Sequence, residues 1–500
     1  MSARRFALIA FAGFVLVQAV WILAVPPFRG IDEFDHAYRA AGVAHGQWRL
    51  TEFAENGRGV VVEVPVELIE AASAQCDALP YPGPDNCFPI RESGDGDATV
   101  ATAAGLYNPM WYAVVGLPSR FLDGANALYG MRVLSALLCG VGVSLAAWAI
   151  GLTRPGPWTK FAFLMSLTPV FAYSTVLPAP NGPEMVAGLT LWASLIALFT
   201  VEKAPSRING GLFLLANSSA LLLVTLRTLG PLWLAMIVLS VMVLVGLPRV
   251  ILGVRSHLSW WIVSTVVVSL GLAAGAWWSL SAGLTDASPD VMQDGGVASW
   301  SFGLNPIVWL LQMIAAFPLR GNAASPGVYL SYSLVLVLIV GVGVRRGDRR
   351  LRALLAAMLV VVVLMPIGIT LLTVETQGLI WQGRYQLPWA VGVLLVAGIS
   401  LDRSHFLPRE RGRVLVLAAA LLALAQAWSI HGLAVDEGRR RVSIGDPGWV
   451  TLPPAVLATA CFMVSCAWLS YVGRSPRSQP DDQQVHTVGQ AAPLSRDGSP

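Results

Sequence analysis

The chain has 500 residues, of which 55% are hydrophobic and only 12% are charged, and its formal net charge is +4. An ordinary soluble domain carries about 25% charged residues, so most of this chain is expected to lie in lipid or to pack against segments that do. Lys160 and Lys203 are its only lysines, and no basic patch is interleaved with aromatic residues, which excludes a typical nucleic-acid-binding surface.

The first predicted element is an apolar run over residues 6–25 that follows Arg4 and Arg5. This arrangement resembles a signal peptide. The run is long enough to span a bilayer, however, and no small-residue cleavage site precedes the proline pair that ends it. We therefore predict a retained first transmembrane helix over residues 1–25, with its N-terminus in the cytoplasm.

A polar stretch, residues 26–36, follows this helix directly. Its ionisable side chains beyond Arg29 are those of Asp32, Glu33, Asp35 and His36. On a helix, Asp32, Asp35 and His36 share one face, which Arg39 continues. A carboxylate here can act as a general base on an acceptor hydroxyl group, or can help to bind a divalent cation beside a lipid phosphate. A structural interpretation stays open as well, in which Asp32 caps a juxtamembrane helix.

Residues 26–128 are predicted to form a long external loop with a juxtamembrane segment. The loop holds a strand-like run at 60–66, and Cys76 and Cys87, which can form a disulfide if the loop faces an oxidising compartment. Near its end, Tyr107 and Asn108 open a short apolar segment. They can line a substrate groove or serve as an interfacial anchor.

Residues 129–473 are predicted to form the polytopic domain. Its predicted spans cover residues 129–152, 160–180, 184–202, 210–227, 229–247, 258–281, 326–344, 352–373, 386–401, 413–431 and 450–473. Two shorter segments, 106–121 and 303–318, decide the topology. If neither crosses, five loops bearing arginine or lysine fall on the cytoplasmic side, as the positive-inside rule requires, and both termini are cytoplasmic. The basic run at 439–441 then faces outward, against the rule. Residues 474–500 are predicted to be a disordered cytoplasmic tail.

Two ionisable residues lie where predicted spans meet the outer face. Glu184 begins a span and is either a second acid in a cavity or a carboxylate that simply favours a helix N-terminus. Arg227 lies between two spans. An arginine at this depth usually faces a cavity or a charged partner, with a lipid-linked phosphate the expected one, although snorkelling explains it equally well.

A second polar stretch, residues 377–388, lies at the outer edge of a late span and holds Gln382, Arg384 and Tyr385. An arginine can hold a phosphate through two hydrogen bonds, and a tyrosine can stack on a sugar. An aromatic belt with a snorkelling arginine accounts for the same residues. The chain has no Walker A loop, dinucleotide fingerprint, zinc-protease motif or serine elbow, so a donor would have to be carried by lipid.

Four features together resemble the bacterial membrane protein family catalogued as domain of unknown function 2142 (DUF2142). They are Pro-x-x-Gly-x-Asp-Glu-x-x-His after the first span, Tyr-x-Pro-x-x-Tyr before the second, Arg132 entering it, and Gln-Gly-Arg-Tyr-x-x-Pro late in the chain. The resemblance covers roughly residues 6 to 430. Ile31 stands where that family often has proline, and Gln386 where it often has an aromatic residue.

The layout of that family is similar to that of the C-type (GT-C) glycosyltransferases, such as the protein O-mannosyltransferases. The resemblance implies an all-α integral membrane protein with about 12 transmembrane helices, one long external loop and a polyprenyl-phosphate sugar donor. It further implies that Asp32 or Glu33 is the catalytic carboxylate and that Arg384 holds the donor phosphate. The residues expected to bind substrate are Asp35, His36, Arg39, Tyr107, Asn108, Glu184, Arg227, Gln382, Arg384 and Tyr385.

The expected function is therefore transfer of a sugar from a polyprenyl-phosphate donor to a cell-envelope acceptor, on the outer face of a bacterial cytoplasmic membrane. Its partners would be membrane lipid and the lipid-linked sugar, with no nucleic acid. The alternatives are a transporter or flippase of a lipid-linked intermediate and a non-catalytic scaffold. Ionisable groups gather at the outer rim of the spans rather than at their midplane, which favours the enzyme over a transporter. Metal dependence, a divalent cation included, and oligomeric state stay open.

Overall fold

The computed structural model describes residues 1–76, 83–93, 96–201, 205–283, 301–318, 322–377, 381–406, 410–444 and 452–473. The tail predicted to be disordered and the side chain of Cys76 lie outside the described residues. Cys87 is disulfide-bonded.

The described chain is mainly helical. Its helices are α1 (Ala3–Ala24), α2 (Glu33–Ala44), α3 (Val66–Cys76), α4 (Pro84–Cys87), α5 (Pro109–Val115), α6 (Gly124–Leu152), α7 (Pro157–Met165), α8 (Pro169–Ser174), α9 (Asn181–Thr200), α10 (Ser206–Leu226), α11 (Gly230–Val245), α12 (Leu247–Ser256), α13 (Leu258–Ser281), α14 (Ser301–Gln312), α15 (Pro326–Arg346), α16 (Arg349–Gln377), α17 (Leu387–Arg403), α18 (Arg411–Ile444) and α19 (Pro454–Gly473). Ten helical segments within the described ranges are long and apolar enough to cross a membrane, or eleven if α11 and α12 form one bent span. The predicted multi-pass helical class is confirmed, and the count is close to the expected twelve.

The predicted span at 160–180 is the one that differs most from expectation. It is divided into α7, of nine residues, and α8, of six, so neither helix alone reaches across a bilayer of about 30 Å. Pro169 opens α8 and has no N–H to continue the preceding helix. The Thr168 side chain caps the new helix by accepting from the N–H of Phe171 at 3.2 Å.

Within the described residues, the two short apolar segments form helices that are shorter than a membrane span. In 106–121, α5 has seven residues and is followed by a 3₁₀ turn, Leu117–Arg120. In 303–318, α14 has twelve residues. A crossing helix needs about 20. This agrees with the prediction that neither segment spans the membrane.

The long loop between α1 and α6 contains a small antiparallel sheet in the order β1-β3-β2, formed by β1 (Val60–Pro65), β2 (Arg91–Glu92) and β3 (Asp97–Thr102). The predicted strand at 60–66 is confirmed. Every residue of α2 is buried, and Gly42 lets this helix approach the sheet so closely that a Cβ atom there would lie 2.3 Å from Val62. The sheet and α2 therefore form one packed unit over the spans.

A buried ion pair ties α18 to the loop after α1. Arg29 Nε donates to both carboxylate oxygens of Glu437, at 3.0 and 2.9 Å. Arg440 Nε also donates to Glu437, at 3.1 Å. The basic run at 439–441 thus supplies, through Arg440, a partner for a buried carboxylate.

Candidate active site

A buried ion pair between Glu33 and Arg132 fixes the start of α2 against α6. Arg132 Nε donates to Glu33 Oε1 and Arg132 Nη2 to Glu33 Oε2, both at 2.6 Å. Neither side chain is exposed. Glu33 Oε2 also accepts from the N–H of Gly30 at 2.9 Å. Because both carboxylate oxygens are engaged, the geometry favours a positioning role for Glu33 over the predicted catalytic one.

The loop between α1 and α2 is held through its main chain as well. Arg132 donates from Nη1 to the carbonyl of Val25 and from Nη2 to that of Pro26, each at 2.7 Å. The N–H of Ile31 donates to the hydroxyl group of Tyr173 at 2.9 Å. These contacts fix the backbone immediately before Asp32.

Asp32 occupies the N-cap position of α2, but its side chain makes no capping hydrogen bond. Its φ of 53° and ψ of 23° lie in the left-handed region, which costs a residue with a side chain roughly 1–2 kcal/mol. The carboxylate is 45% exposed, and its Oδ2 lies 3.9 Å from Nη2 of Arg384. The capping interpretation does not describe this side chain. A strained backbone instead presents it to solvent beside an arginine.

Arg384 lies in a 3₁₀ turn, Gly383–Gln386, which leads into α17. The residue is 3% exposed, and its Nε has no hydrogen-bond partner among the described residues. Its guanidinium carbon lies 5.7 Å from the ring centroid of Tyr385. A buried charged donor without an acceptor is unfavourable, so this geometry favours an anionic ligand.

Arg227, immediately after α10, contacts the same tyrosine, with its guanidinium carbon 4.2 Å from the ring centroid of Tyr385. It donates to the side chain of Asn181, and its Nη1 lies 3.7 Å from Oε2 of Glu184. Glu184 is 2% exposed, and its Oε1 has no hydrogen-bond partner within the described ranges. Tyr385 therefore brings together two arginines, each loosely paired with a carboxylate.

Tyr107 joins this group from the external loop. Its ring centroid lies 5.7 Å from that of His36. Its hydroxyl group interacts electrostatically with Arg227, Tyr385 and Asp32. Burial raises the pKa of Tyr107, so the hydroxyl group stays protonated and can donate a hydrogen bond. We name the resulting set the two-arginine cluster, and it comprises Asp32, Tyr107, Glu184, Arg227, Arg384 and Tyr385.

His36 and Arg39 make protein contacts beside this cluster. Nδ1 of His36 shares a hydrogen bond of 2.7 Å with the hydroxyl group of Tyr112. Burial, reinforced by Arg227, lowers the pKa of His36 to about 3, so the ring is neutral at pH 7. Arg39 uses both Nη atoms on main-chain carbonyl groups, including those of Trp48 at 2.8 Å and Tyr107 at 3.2 Å. Such contacts favour roles in holding Tyr107 rather than in touching phosphate.

Asp35 joins α2 to the sheet. Its Oδ1 accepts from the N–H of Ala103 at 2.6 Å, and its carbonyl accepts from the Thr102 hydroxyl group at 2.8 Å. Burial raises the pKa of Asp35 to about 7, with Asp32 adding to the rise and the Ala103 hydrogen bond opposing it. Asp35 is 4% exposed. Its expected contact with substrate stays a prediction.

The raised pKa of Asp35 predicts that the stability of the folded protein depends on pH. Because its pKa is higher in the folded protein than the ordinary 3.8, the folded state binds the proton more tightly than the unfolded chain. The resulting stabilisation is fully present below about pH 4 and is lost as pH rises through about 7. Asp35→Asn, whose amide oxygen can still accept from Ala103, is expected to reduce the fall in melting temperature between pH 5 and pH 8. An equal fall in both proteins would contradict this.

Two further residues expected to bind substrate have structural contacts. The Asn108 side chain caps α5 by accepting from the N–H of Met110 at 3.0 Å. Gln382 is 6% exposed, and its carbonyl accepts from the N–H of Tyr385 at 3.0 Å. Their contact with substrate is untested by this geometry.

Sequence reasoning left three contributors out of the expected site. Arg132 holds the loop between α1 and α2, Asn181 pairs with Arg227, and Tyr112 pairs with His36. An arginine near the start of an apolar span was a usable signal for the first, because such residues usually have charged partners. No group of three or more potential metal ligands occurs within the described residues.

Comparisons with known proteins add a family and a distant structural likeness. A family model described as "Predicted membrane protein (DUF2142)" matches residues 14–393. The crystal structure of ArnT from Cupriavidus metallidurans bound to undecaprenyl phosphate is 13% identical, with a TM-score of 0.43 over 92% of this chain and 76% of that one. The crystal structure of the same ArnT in the apo state is also 13% identical, with a TM-score of 0.39 over 87% of this chain and 75% of that one. Likeness at this level carries no argument about the site.

A curated relative matches only a segment. The probable multidrug resistance protein NorM of Caulobacter vibrioides is 29% identical over 93 residues, which is 18% of this chain. The chain spans about a fifth of the length of that relative, since the match covers 20% of it.

Proposed function

The chain belongs to the DUF2142 family of membrane proteins, and we propose that it is a glycosyltransferase that moves a sugar from a polyprenyl-phosphate donor to a hydroxyl group of a cell-envelope acceptor. The reaction takes place on the outer face of a bacterial cytoplasmic membrane. The single observation that carries this proposal is the two-arginine cluster, in which a half-exposed carboxylate lies 3.9 Å from a buried arginine whose Nε has no acceptor in the described part of the chain.

The cluster has the parts that this reaction needs. Arg384 and Arg227 supply guanidinium groups for the donor phosphate, whose negative charge grows as the bond to the sugar breaks. Asp32 accepts the proton of the acceptor hydroxyl group while that oxygen forms a bond to the anomeric carbon of the sugar. The bond between the anomeric carbon and the phosphate oxygen breaks, and the lipid phosphate leaves with the electron pair.

Loose pairing in the resting cluster fits this assignment. The carboxylates of Asp32 and Glu184 lie 3.9 and 3.7 Å from their arginines, beyond hydrogen-bond distance. A phosphate oxygen can therefore bind Arg384 without first breaking a short ion pair. Once it does so, the phosphate competes with Asp32 for Arg384, which leaves the carboxylate of Asp32 to accept a proton.

The test is a transfer assay on the purified full chain, with radiolabelled polyprenyl-phosphate sugars as donors and envelope extract as acceptor. Label that reaches the acceptor supports the transferase. Donor that is bound and moved across proteoliposomes, with no label transferred, would assign the transporter class instead. If no donor of the panel binds or reacts, both the transferase and the transporter are contradicted.

Arg384→Gln is expected to weaken binding of a polyprenyl phosphate by about 10- to 100-fold, because hydrogen bonds to a charged group contribute about 1.5–3 kcal/mol each. The measurement is a calorimetric titration of the variant in detergent. Arg91→Gln is the matched control, because Arg91 is an exposed arginine of the external sheet that pairs with Glu52. Equal affinities of the Arg384 variant and wild type would remove Arg384 from the donor site.

A further inference from the structure

A second concentration of arginines lies at the opposite end of α11 from the candidate site. This helix begins at Gly230, three residues after Arg227, and its 16 residues carry the chain about 24 Å to Val245. There the chain turns by 107° into α12, at Gly246 with a φ of 96°. At about 24 Å, α11 is slightly shorter than a hydrocarbon core of about 30 Å, so if it crosses the bilayer the bend lies at the membrane interface and α12 runs along that surface.

The composition of α12 fits an interfacial position. Val250 is buried and faces the protein, and a Cβ atom at Gly253 would lie 3.0 Å from Phe199 at the end of α9. Ile251 and Leu252 are 43% and 66% exposed. A short helix that packs one face on the protein and leaves bulky apolar side chains exposed is typical of a helix in contact with lipid.

Three arginines from three elements meet beside this bend. Arg350, in the first turn of α16, donates from Nη1 to the carbonyl of Val245 at 3.3 Å. Arg403, the last residue of α17, lies close enough to Arg350 and to Arg249 of α12 to interact with both electrostatically. All three are exposed.

Among the described residues, the ion pairs of these three arginines involve one carboxylate, that of Asp348. Asp348 lies 4.0 Å from Arg403, and its Oδ1 is already engaged by the N–H of Leu351 at 2.8 Å. The chain between α15 and α16 adds further arginines, so that residues 345–352 hold five arginines and one aspartate. Like charges at such a spacing repel one another unless an anion lies between them.

We propose that the α11–α12 bend is a binding site for an anionic phospholipid of the leaflet opposite the candidate active site. Arg249, Arg350 and Arg403 surround its phosphate, and the exposed Ile251 and Leu252 contact its acyl chains. The ligand is a lipid rather than free phosphate, because the arginines adjoin an apolar helix face that free phosphate would leave uncovered. The proposal is independent of the glycosyltransferase function.

The test is native mass spectrometry of the full chain in detergent, titrated with dioleoyl phosphatidylglycerol. Wild type is expected to retain this lipid in preference to dioleoyl phosphatidylcholine. Each arginine removed from an anionic site is expected to weaken retention about fivefold, so the R249Q/R350Q/R403Q variant should lose about 100-fold. The R249Q/R403Q variant keeps the hydrogen bond from Arg350 to α11, and its retention of phosphatidylglycerol should fall about 25-fold. This variant replaces the triple variant if the latter does not fold.

The matched control is R154Q/R207Q/R413Q, which removes three exposed arginines from the same membrane face, outside the cluster. It should retain phosphatidylglycerol as wild type does. Equal retention of the two lipids by wild type, or an equal loss in the control and cluster variants, would overturn the proposal. Displacement of the lipid by millimolar inorganic phosphate would overturn the assignment of the site to a lipid.

Discussion

Asp32→Asn is expected to reduce sugar transfer by about 10²- to 10⁴-fold, the contribution typical of a general base, while the protein stays folded. The amide of asparagine cannot take the proton of the acceptor hydroxyl group. Donor binding should persist, because Arg384 and Arg227 are unchanged. Initial transfer rates at saturating donor, compared with wild type, measure the effect.

Asparagine is the informative replacement because it isolates the charge. Asp32 has a φ of 53°, and asparagine is among the residues that adopt this region most readily. The aspartate makes no capping hydrogen bond, so none is lost on replacement. A fall in rate with an unchanged melting temperature therefore reports the missing carboxylate and not a disturbed loop.

Asp97→Asn, at the first residue of β3, is the matched control in the same external region. It removes the same charge from outside the two-arginine cluster and should leave transfer unchanged. If the Asp32 variant transfers sugar at the wild-type rate, Asp32 is not the base.

The sequence predicted the helical class and most of the spans, because long apolar runs leave little choice of structure in lipid. It did not predict the break inside the span at 160–180, whereas the predicted span at 229–247 does end next to the bend at Gly246. At Pro169 the missing N–H ends one helix, and at Gly246 a positive φ turns the chain by 107°. The run at 160–180 carries no charged residue after Lys160, so hydropathy alone does not distinguish a continuous span from an interrupted one there.

The sequence named six residues that the structure brings together in the two-arginine cluster, but it did not predict which contacts each of them makes. Asp32 and Glu33 are neighbours of the same chemical class, and either fits a catalytic carboxylate. Their surroundings differ because Arg132, 99 residues from Glu33, engages both oxygens of Glu33 and leaves Asp32 at the surface. The sequence likewise placed Arg39 among the residues expected to bind substrate, yet in the folded chain its guanidinium group donates to main-chain carbonyl groups. Spacing along one helix cannot report partners that come from other elements.

Arg132→Gln is expected to destabilise the protein by about 3–5 kcal/mol, which is the cost of leaving one member of a buried ion pair uncompensated. The change leaves Glu33 without its cation and frees the carbonyl groups of Val25 and Pro26 from Nη contacts. The free energy of unfolding in mixed micelles measures the loss. Transfer should fall as well, because the loop that presents Asp32 is no longer held.

Two comparisons separate the ion pair from a general effect of removing charge. Glu52→Gln breaks the exposed pair with Arg91, whose side chains are more than half exposed, and should cost no more than about 1 kcal/mol. Replacing both buried partners, as Glu33→Leu with Arg132→Met, should destabilise less than Arg132→Gln alone, because no unpaired charge is then left in the interior. If the double variant is instead the least stable, the main-chain contacts of Arg132 hold the loop, and the charge of Glu33 contributes little.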